Sequence, residues 1–432
     1  MFMKKSLRVL PSVEPLFFGN PYVSYYTFLA KTTIRPTSIV RKYNLMKPHE
    51  VDNHGVGHLT PTIEGEQAFV PDNLPPRVEW TGELVTALSE ADRAIGQLHG
   101  IGLNLPNPSL LIAPFMRREA EMSSRIEGTQ AEVRDIYLFE MQEPDVQSEV
   151  PDVREVSNYV RALDHGLKRC NEIPVCLRMI RELHEILLKG VRGEKDRPGE
   201  FRRSQNWIGS RGCTIAEARY VPPPPQEMDA CLDALERFIN APFGSAPVLA
   251  WLAMVHYQFE AIHPFRDGNG RIGRLLIILL LCSKGILDKP LLYLSAYFER
   301  NREQYYERLL RVSTHGEWRQ WMLFFLRGIQ EQSLDAFARS RQLMDLQQQF
   351  HTMVKSRRSA IQYKLVDLLI ERPVVTVVFV RDYFCVTYAT AKNSINRLIK
   401  VGILKQVGTA KRNKVFIAEQ VFEIIGKPFS TR

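Results

Sequence analysis

Residues 248–282 set the tightest constraint on how this chain can fold. Val248 to Glu260 is apolar nearly all round, with Val248, Leu249, Trp251, Leu252, Met254 and Val255 spread over its faces, and Arg271 to Cys282 reads as a second apolar helix. A helix without a polar face belongs inside a protein. The longest apolar run, Leu275 to Cys282, falls well short of the roughly 20 residues that span a bilayer. Two buried helices are therefore expected side by side. Yet the string that links them and opens the second is His263-Pro-Phe-Arg-Asp-Gly-Asn-Gly-Arg-Ile-Gly-Arg274. A fold that buries those helices must also hold this cluster of polar groups at its centre.

Each member of the string has a chemical use. Gly268-Asn269-Gly270 can set successive backbone N–H groups around an anion, because glycine takes the backbone angles required and lets a phosphate approach. A helix that begins right after it points its positive end at the same place. Arg271 and Arg274 lie three apart, on neighbouring helix faces. Arg274 suits a bidentate clamp on a terminal phosphate. Asp267 is a hard oxygen ligand for Mg²⁺ bridging phosphates. His263 titrates near neutral pH and can take a proton from an attacking hydroxyl. Phe265 is expected to anchor the loop in the core. The plain alternative is a polar loop between core helices with Arg–Asp surface pairs.

The string resembles the motif of the Fic family, His-Pro-Phe-x-(Asp/Glu)-Gly-Asn-Gly-Arg-x-x-Arg, and matches it at every fixed position. Most Fic proteins are helical enzymes that transfer AMP from ATP to a Ser, Thr or Tyr hydroxyl of a target protein and release pyrophosphate. The resemblance implies His263 as general base, Asp267 as ligand of Mg²⁺ or Mn²⁺, Gly268 to Gly270 as phosphate cradle, Arg271 beside it and Arg274 as phosphate clamp. A kinase-like minority has Lys where this chain has Gly270, so the glycine points to AMP transfer. Gly199 to Gly209 resembles the stretch leading into the Fic flap, a hairpin that holds the target segment by strand addition. Read from the residues alone, the arms around Gly209 and Gly212 suggest either a β-hairpin or an ordered loop, closed by Pro222 to Pro225. The family often sets an aromatic against the adenine, which would be Tyr305 here.

Ser123-Ser-Arg-Ile-Glu127-Gly128 lies in a helix-compatible run from Phe115 and matches the Fic inhibitory pattern (Ser/Thr)-x-x-x-Glu-(Gly/Asn). Ser123 and Glu127, four apart, share a helix face. In the family this glutamate pairs with the second arginine of the motif, here Arg274, which then cannot clamp the terminal phosphate of ATP. The motif stands upstream on the same chain, so the inhibition is expected to be intramolecular. Two other readings remain open: removal of AMP from modified proteins, with Glu127 orienting a water, and a transcriptional regulator whose Fic domain only senses ATP.

Three domains are expected: an irregular arm over 1–76, a mostly helical Fic domain over 77–345 that contains an inhibitory helix at 115–128 and a small β-hairpin flap, and a winged helix-turn-helix domain over 351–432. Met46 stands as an alternative start of translation. The charge supports a separate C-terminal domain. The whole chain carries a formal +9, while His351 to Arg432 alone holds 15 Lys+Arg against 5 Asp+Glu. Helices are expected at Tyr363–Ile370, Phe379–Phe384 and Thr387–Lys400, and a two-stranded wing at 403–417 with a basic tip of Lys411, Arg412 and Lys414. Thr387, Tyr388, Thr390, Lys392, Asn393, Asn396 and Arg397 would be exposed on the third helix, open to bases or phosphates. Winged helices also bind proteins or mediate dimers, so DNA, a protein and a second copy of the chain all remain partners to test. Six scattered cysteines without C-x-x-C pairs read as thiols in a reducing cytoplasm, and no export signal stands out.

Overall fold

In this computed structural model, residues 56–104, 108–141, 151–210, 212–244, 246–354, 360–408 and 413–426 are described. Among them lie fifteen α-helices and five short strands. The two apolar segments are helices α7 (Val248–Ile262) and α8 (Asn269–Ser283). All of α7 except Val248 and Glu260 is buried, and Leu275 to Leu281 of α8 are no more than 2% exposed. Burying each such side chain contributes on the order of 1.5–3 kcal/mol, so this pair is the natural centre of the core.

The remaining helices wrap it. They are α1 (Gly82–Asn104), α2 (Ser109–Ile126), α3 (Val133–Phe139), α4 (Pro151–Arg169), α5 (Leu177–Leu187), α6 (Pro225–Asn240), α9 (Ser295–Arg300), α10 (Arg302–His315) and α11 (Trp318–Met353). α1 runs along α11, and α4 packs on both α5 and α8. α2 is pinned from behind by the buried Glu119, whose carboxylate accepts from the Ser295 N–H (3.1 Å), the Ser295 hydroxyl (2.5 Å) and the Tyr159 hydroxyl (3.1 Å). No helix among the described residues is long and apolar enough to cross a membrane.

The arm expected to be irregular holds a β-hairpin over 57–71. Strands β1 (Gly57–Pro61) and β2 (Gln67–Pro71) pair antiparallel, with Gly57 opposite Pro71. The turn uses Gly65 at φ 92°. Phe69 is fully buried and gives its N–H to the Val221 carbonyl at 2.9 Å. Five-residue strands carry little period of their own, and here docking onto a distant loop holds them. Residues 1–55, with Met46, lie outside the described residues.

From residue 360 the order is α12 (Ala360–Glu371), β3 (Val374–Thr376), α13 (Val377–Tyr383), α14 (Tyr388–Lys400), β4 (Lys405–Val407), β5 (Val415–Ile417) and α15 (Glu419–Gly426). β5 is the middle strand, antiparallel to both β3 and β4. β3 and α15 add to the three helices and two strands expected from the sequence. Thr376 and Thr387 cap the helices that follow them, their hydroxyls accepting from the Phe379 and Thr390 N–H groups. Ala391, Ile395 and Leu398 face inward, while Thr387, Tyr388, Thr390, Lys392, Asn393, Asn396 and Arg397 are exposed. Lys411 and Arg412, at the tip between β4 and β5, lie outside the described residues.

Candidate active site

The loop between α7 and α8 is closed by its own side chains. His263 ends α7 in the left-handed region (φ 49°, ψ 59°), its N–H still bonded to the Phe259 carbonyl. A non-glycine residue persists there only when its surroundings hold it. Arg202 donates from Nε to the His263 carbonyl at 3.0 Å, and Asn206 donates to the Phe265 carbonyl at 2.9 Å. Asn269 accepts the Phe265 N–H and donates to the Phe265 carbonyl, both at 2.8 Å. Its side chain is thus a clasp for the loop, and what Asn269 can offer an anion is its backbone N–H. Gly268 precedes α8 at φ 81°, a conformation that costs glycine little.

Phe265 is buried and stacks on His184, with centroids 3.7 Å apart and planes 6° from parallel. The Gly199 N–H donates to His184 Nδ1, so His184 Nε2 carries the proton and donates to the Asp267 carbonyl at 3.0 Å. Burial pushes the His184 imidazole down to about 4. Neither His184, Arg202 nor Asn206 stood out in the sequence. Each acts on backbone carbonyls of a segment far along the chain, a role without a spacing signal.

His263 itself is held neutral. Burial pushes its imidazole down to about 4, and the nearby Arg202 charge adds to the effect. A neutral imidazole can accept a proton at pH 7.

Arg271 is fully buried. Its Nη1 lies 3.3 Å from Glu155 Oε2 and its Nη2 3.6 Å from Asp267 Oδ1. Nε and Nη2 have no hydrogen-bond partner among the described residues. Buried donors left unmade are costly, and any acceptor that reaches them would remove that cost. Glu155 also accepts from the Thr129 hydroxyl at 3.4 Å.

Arg274 is occupied. Its Nε donates to Ser123 Oγ at 2.9 Å, and its Nη2 donates to the Ser123 carbonyl at 3.0 Å and to Glu127 Oε1 at 2.7 Å. Three of the five guanidinium N–H donors are committed to the end of α2. Burial alone would raise the Glu127 carboxyl, but Arg274 outweighs it and the group lies below its ordinary value. Glu127 sits just past α2 as its C-cap, and Gly128 at φ 99° turns the chain away. A Cβ on residue 270 would fall 2.5 Å from Glu127 Oε1 and 2.8 Å from Arg274 Nη1, so glycine is what leaves room there.

A second carboxylate faces the same arginine. Glu260 Oε1 is buried without a hydrogen-bond partner, and burial, opposed by Arg274, pushes its carboxyl up to about 7. It lies over Gly273, where a Cβ would come within 2.2 Å of Oε1.

Tyr305, expected against the adenine, is fully buried. Its hydroxyl is 2.8 Å from His256 Nε2 and its ring stacks on Phe298 at 4.5 Å. It is a core side chain with no ring face turned outward; the neighbouring Tyr306 is half-buried. Among the described residues of 199–224 there is a 3-10 turn at Ile215–Glu217 and a single antiparallel bridge, Ile208 to Tyr220, rather than paired strands. Trp207 and Ile208 are exposed in this stretch. No group of three His, Cys, Asp or Glu side chains able to hold a metal occurs among the described residues. Asp267, about a third exposed, fits Mg²⁺, which binds one or two carboxylates and takes its other ligands from phosphates and water.

Residues 85–168 match the Fic/DOC family N-terminal model, and residues 174–281 match the Fic/DOC family model. Among curated proteins, the chain is similar to a protein adenylyltransferase Fic of Drosophila yakuba, 29% identical over 210 residues, and to that of Drosophila melanogaster, 28% identical over 210 residues. Each match covers 47% of this chain and 38% of the relative, so the chain spans well under half the length of these proteins. Among solved structures, a Fic family protein from Desulfovibrio desulfuricans G20 has a TM-score of 0.49 at 17% identity, covering 83% of this chain and all of that one. Fic-1 from C. elegans has a TM-score of 0.44 at 22% identity, covering 61% and 74%.

Proposed function

The chain carries a Fic/DOC domain with its N-terminal region, and from that premise we propose that it is a protein adenylyltransferase held in check by Glu127. His263 takes the proton from a Ser, Thr or Tyr hydroxyl of a target protein. The oxygen attacks the α-phosphorus of ATP, the bond to the bridging oxygen breaks and pyrophosphate leaves. Backbone N–H groups of Asn269 and Gly270 and the buried Arg271 hold the phosphates, while the Gly268 N–H is taken by Asp267 Oδ1. Asp267 would hold Mg²⁺ or Mn²⁺, which when bound offsets phosphate charge. Arg274 clamps the terminal phosphate only after it leaves Glu127. The observation that carries this reading is Arg271 with two unsatisfied buried donors, in the first turn of α8 directly after a cradle that a neutral histidine adjoins.

The 2.7 Å pair between Arg274 and Glu127 supports the brake. The same pair suits AMP removal if Glu127 instead orients a water, and Glu127→Gly separates the two. It raises AMP transfer if Glu127 is a brake, and abolishes AMP release if Glu127 is a catalytic partner. The test is to incubate wild-type, Glu127→Gly and His263→Ala proteins with labelled ATP, Mg²⁺ and a lysate. Label strongest in Glu127→Gly and absent in His263→Ala supports the reading. ATP binding without transfer in every variant favours the sensor instead.

We further read a catalytic domain over 77–345 and a winged helix-turn-helix over 351–432, and propose a cytoplasmic setting, which the six free cysteines favour. The exposed polar face of α14 favours duplex DNA as a ligand of that unit. Arg397→Ala would weaken such binding, and a salt-sensitive shift assay reads it.

A further inference from the structure

The inhibitory residue sits at the turn of a helical hairpin, and the C-terminal unit grips both arms of that hairpin. α2 ends at Ile126, the turn carries Glu127 and Gly128, and α3 starts at Val133. α12 of the C-terminal unit packs along α2. On the other arm, Tyr137 of α3 is fully buried and donates its hydroxyl to the Glu371 carbonyl at the end of α12, at 3.0 Å. The Tyr137 ring meets Phe422 of α15 edge to face, with centroids 5.7 Å apart. Arg134 lies over the Phe422 ring at 5.5 Å and pairs with Glu419 at 2.5 Å.

The arms are also tied to each other through charges that the C-terminal unit shares. Arg117 of α2 holds Glu140 just past α3 with two hydrogen bonds of 3.0 and 2.8 Å, and Arg372 stands 3.7 Å from the same carboxylate. Arg118 of α2 pairs with Asp335 of α11 at 2.9 Å, Asp335 accepts from Arg339 at 2.9 Å, and Arg339 donates to the carbonyls of Ile424 and Ile425. These contacts hold α2 and α3 in the one arrangement that sets Glu127 against Arg274. Tyr388, Lys392, Asn393 and Arg397 of α14 are exposed.

We propose that the C-terminal unit sets the brake: its docking on α2 and α3 holds Glu127 on Arg274, and loosening that docking releases Arg274 for ATP. The proposal rests on the reading of Glu127 as inhibitory and adds the element that controls it. Bistable packing of this kind is how a change at one surface reaches a distant site.

The test uses the full chain. Phe422→Ala removes the ring that Tyr137 and Arg134 pack against. AMP transfer should rise about five-fold, the equivalent of roughly 1 kcal/mol of lost docking. In the Glu127→Gly background the same change should add nothing. Amide exchange over residues 124–132 should quicken in Phe422→Ala. Should Phe422→Ala fail to fold, the charge pair decides: Arg134→Glu raises transfer and adding Glu419→Arg restores the wild-type level. If Glu127→Gly raises transfer while the folded docking variants change neither transfer nor exchange, the C-terminal control is overturned and the brake stands. Equal rises with and without Glu127 overturn it too, because the effect then bypasses the brake. If Glu127→Gly itself raises nothing, the brake reading falls and the proposal with it.

Discussion

The loop at 263–270 and the turn at 123–128 meet at Arg274, yet they are held by different means. The loop is built largely from its own neighbourhood. Asn269 bonds both backbone groups of Phe265, and the Gly268 N–H turns onto Asp267 Oδ1. To these local closures the loop adds outside braces from His184, Arg202 and Asn206 on its carbonyls. The turn is closed locally by the left-handed Gly128 and by the N–H groups of Glu127, Gly128 and Thr129 on the last carbonyls of α2, while its side chains depend on partners far along the chain: Arg274 for Ser123 and Glu127, and Glu155 for Thr129. A turn held from outside is where a change elsewhere can be felt. On the proposed function, chemistry and control are separable here, and substitutions should divide along the same line.

The largest effect belongs to the loop. His263→Ala should cut transfer by about 10²–10⁴, the contribution of a positioned base, with ATP binding retained; a titration with ATP beside the transfer assay reads both. Loss of binding as well would make the histidine a structural part of the loop and blur the comparison. Glu127→Gly should move transfer the other way, by about 5–150-fold, the usual span of a coupling between two elements. Unchanged transfer would break the division outright.

Asn269→Ala sharpens it. The loss leaves the buried Phe265 N–H unsatisfied, at about 1–3 kcal/mol, while Asn206 still serves the Phe265 carbonyl, so both melting temperature and transfer should fall, with or without Glu127. Ser123→Ala removes one of three bonds to Arg274 and should raise transfer only about three-fold, in line with roughly 0.5–1.5 kcal/mol for one hydrogen bond. The smallest effect is that of pH. His263 is pushed down to about 4, so the base stays neutral from pH 8 to pH 5 and transfer by Glu127→Gly should lose nothing to its protonation over that range. Transfer then falls near pH 4. The unfolded chain binds a proton at this histidine below about 6.5 and the folded chain only below about 4, so folding stability declines as pH drops through that window. A thermal melt series reads that decline.

How far the sequence could be read follows the same division. The string from His263 to Arg274 showed as one cluster because its loop is a single continuous run of residues, and the structure keeps them together between α7 and α8. Ser123 and Glu127 showed as a pair because one helical turn joins them. Tyr305 misled, since an aromatic on a helix has the same spacing whether it lines a pocket or fills a core. Its hydroxyl partner, His256, lies on another helix. His184, Arg202 and Asn206 were silent for a similar reason: they serve backbone carbonyls, which any residue supplies. The hairpin at 57–71 was hidden because its strands are short and Phe69 finds its partner at Val221.

By itself, then, the sequence determined the two buried helices, the loop that opens the second, the upstream pairing of Ser123 with Glu127 and a basic C-terminal region with its own run of short elements. Each is written in periods of a few residues. Tertiary structure alone decided that Arg274 is already engaged by Glu127, that Arg271 keeps buried donors unsatisfied, and that α12 and α15 pack on the hairpin bearing Glu127. Those facts depend on which side chains meet across hundreds of residues, and local spacing carries no information about such meetings.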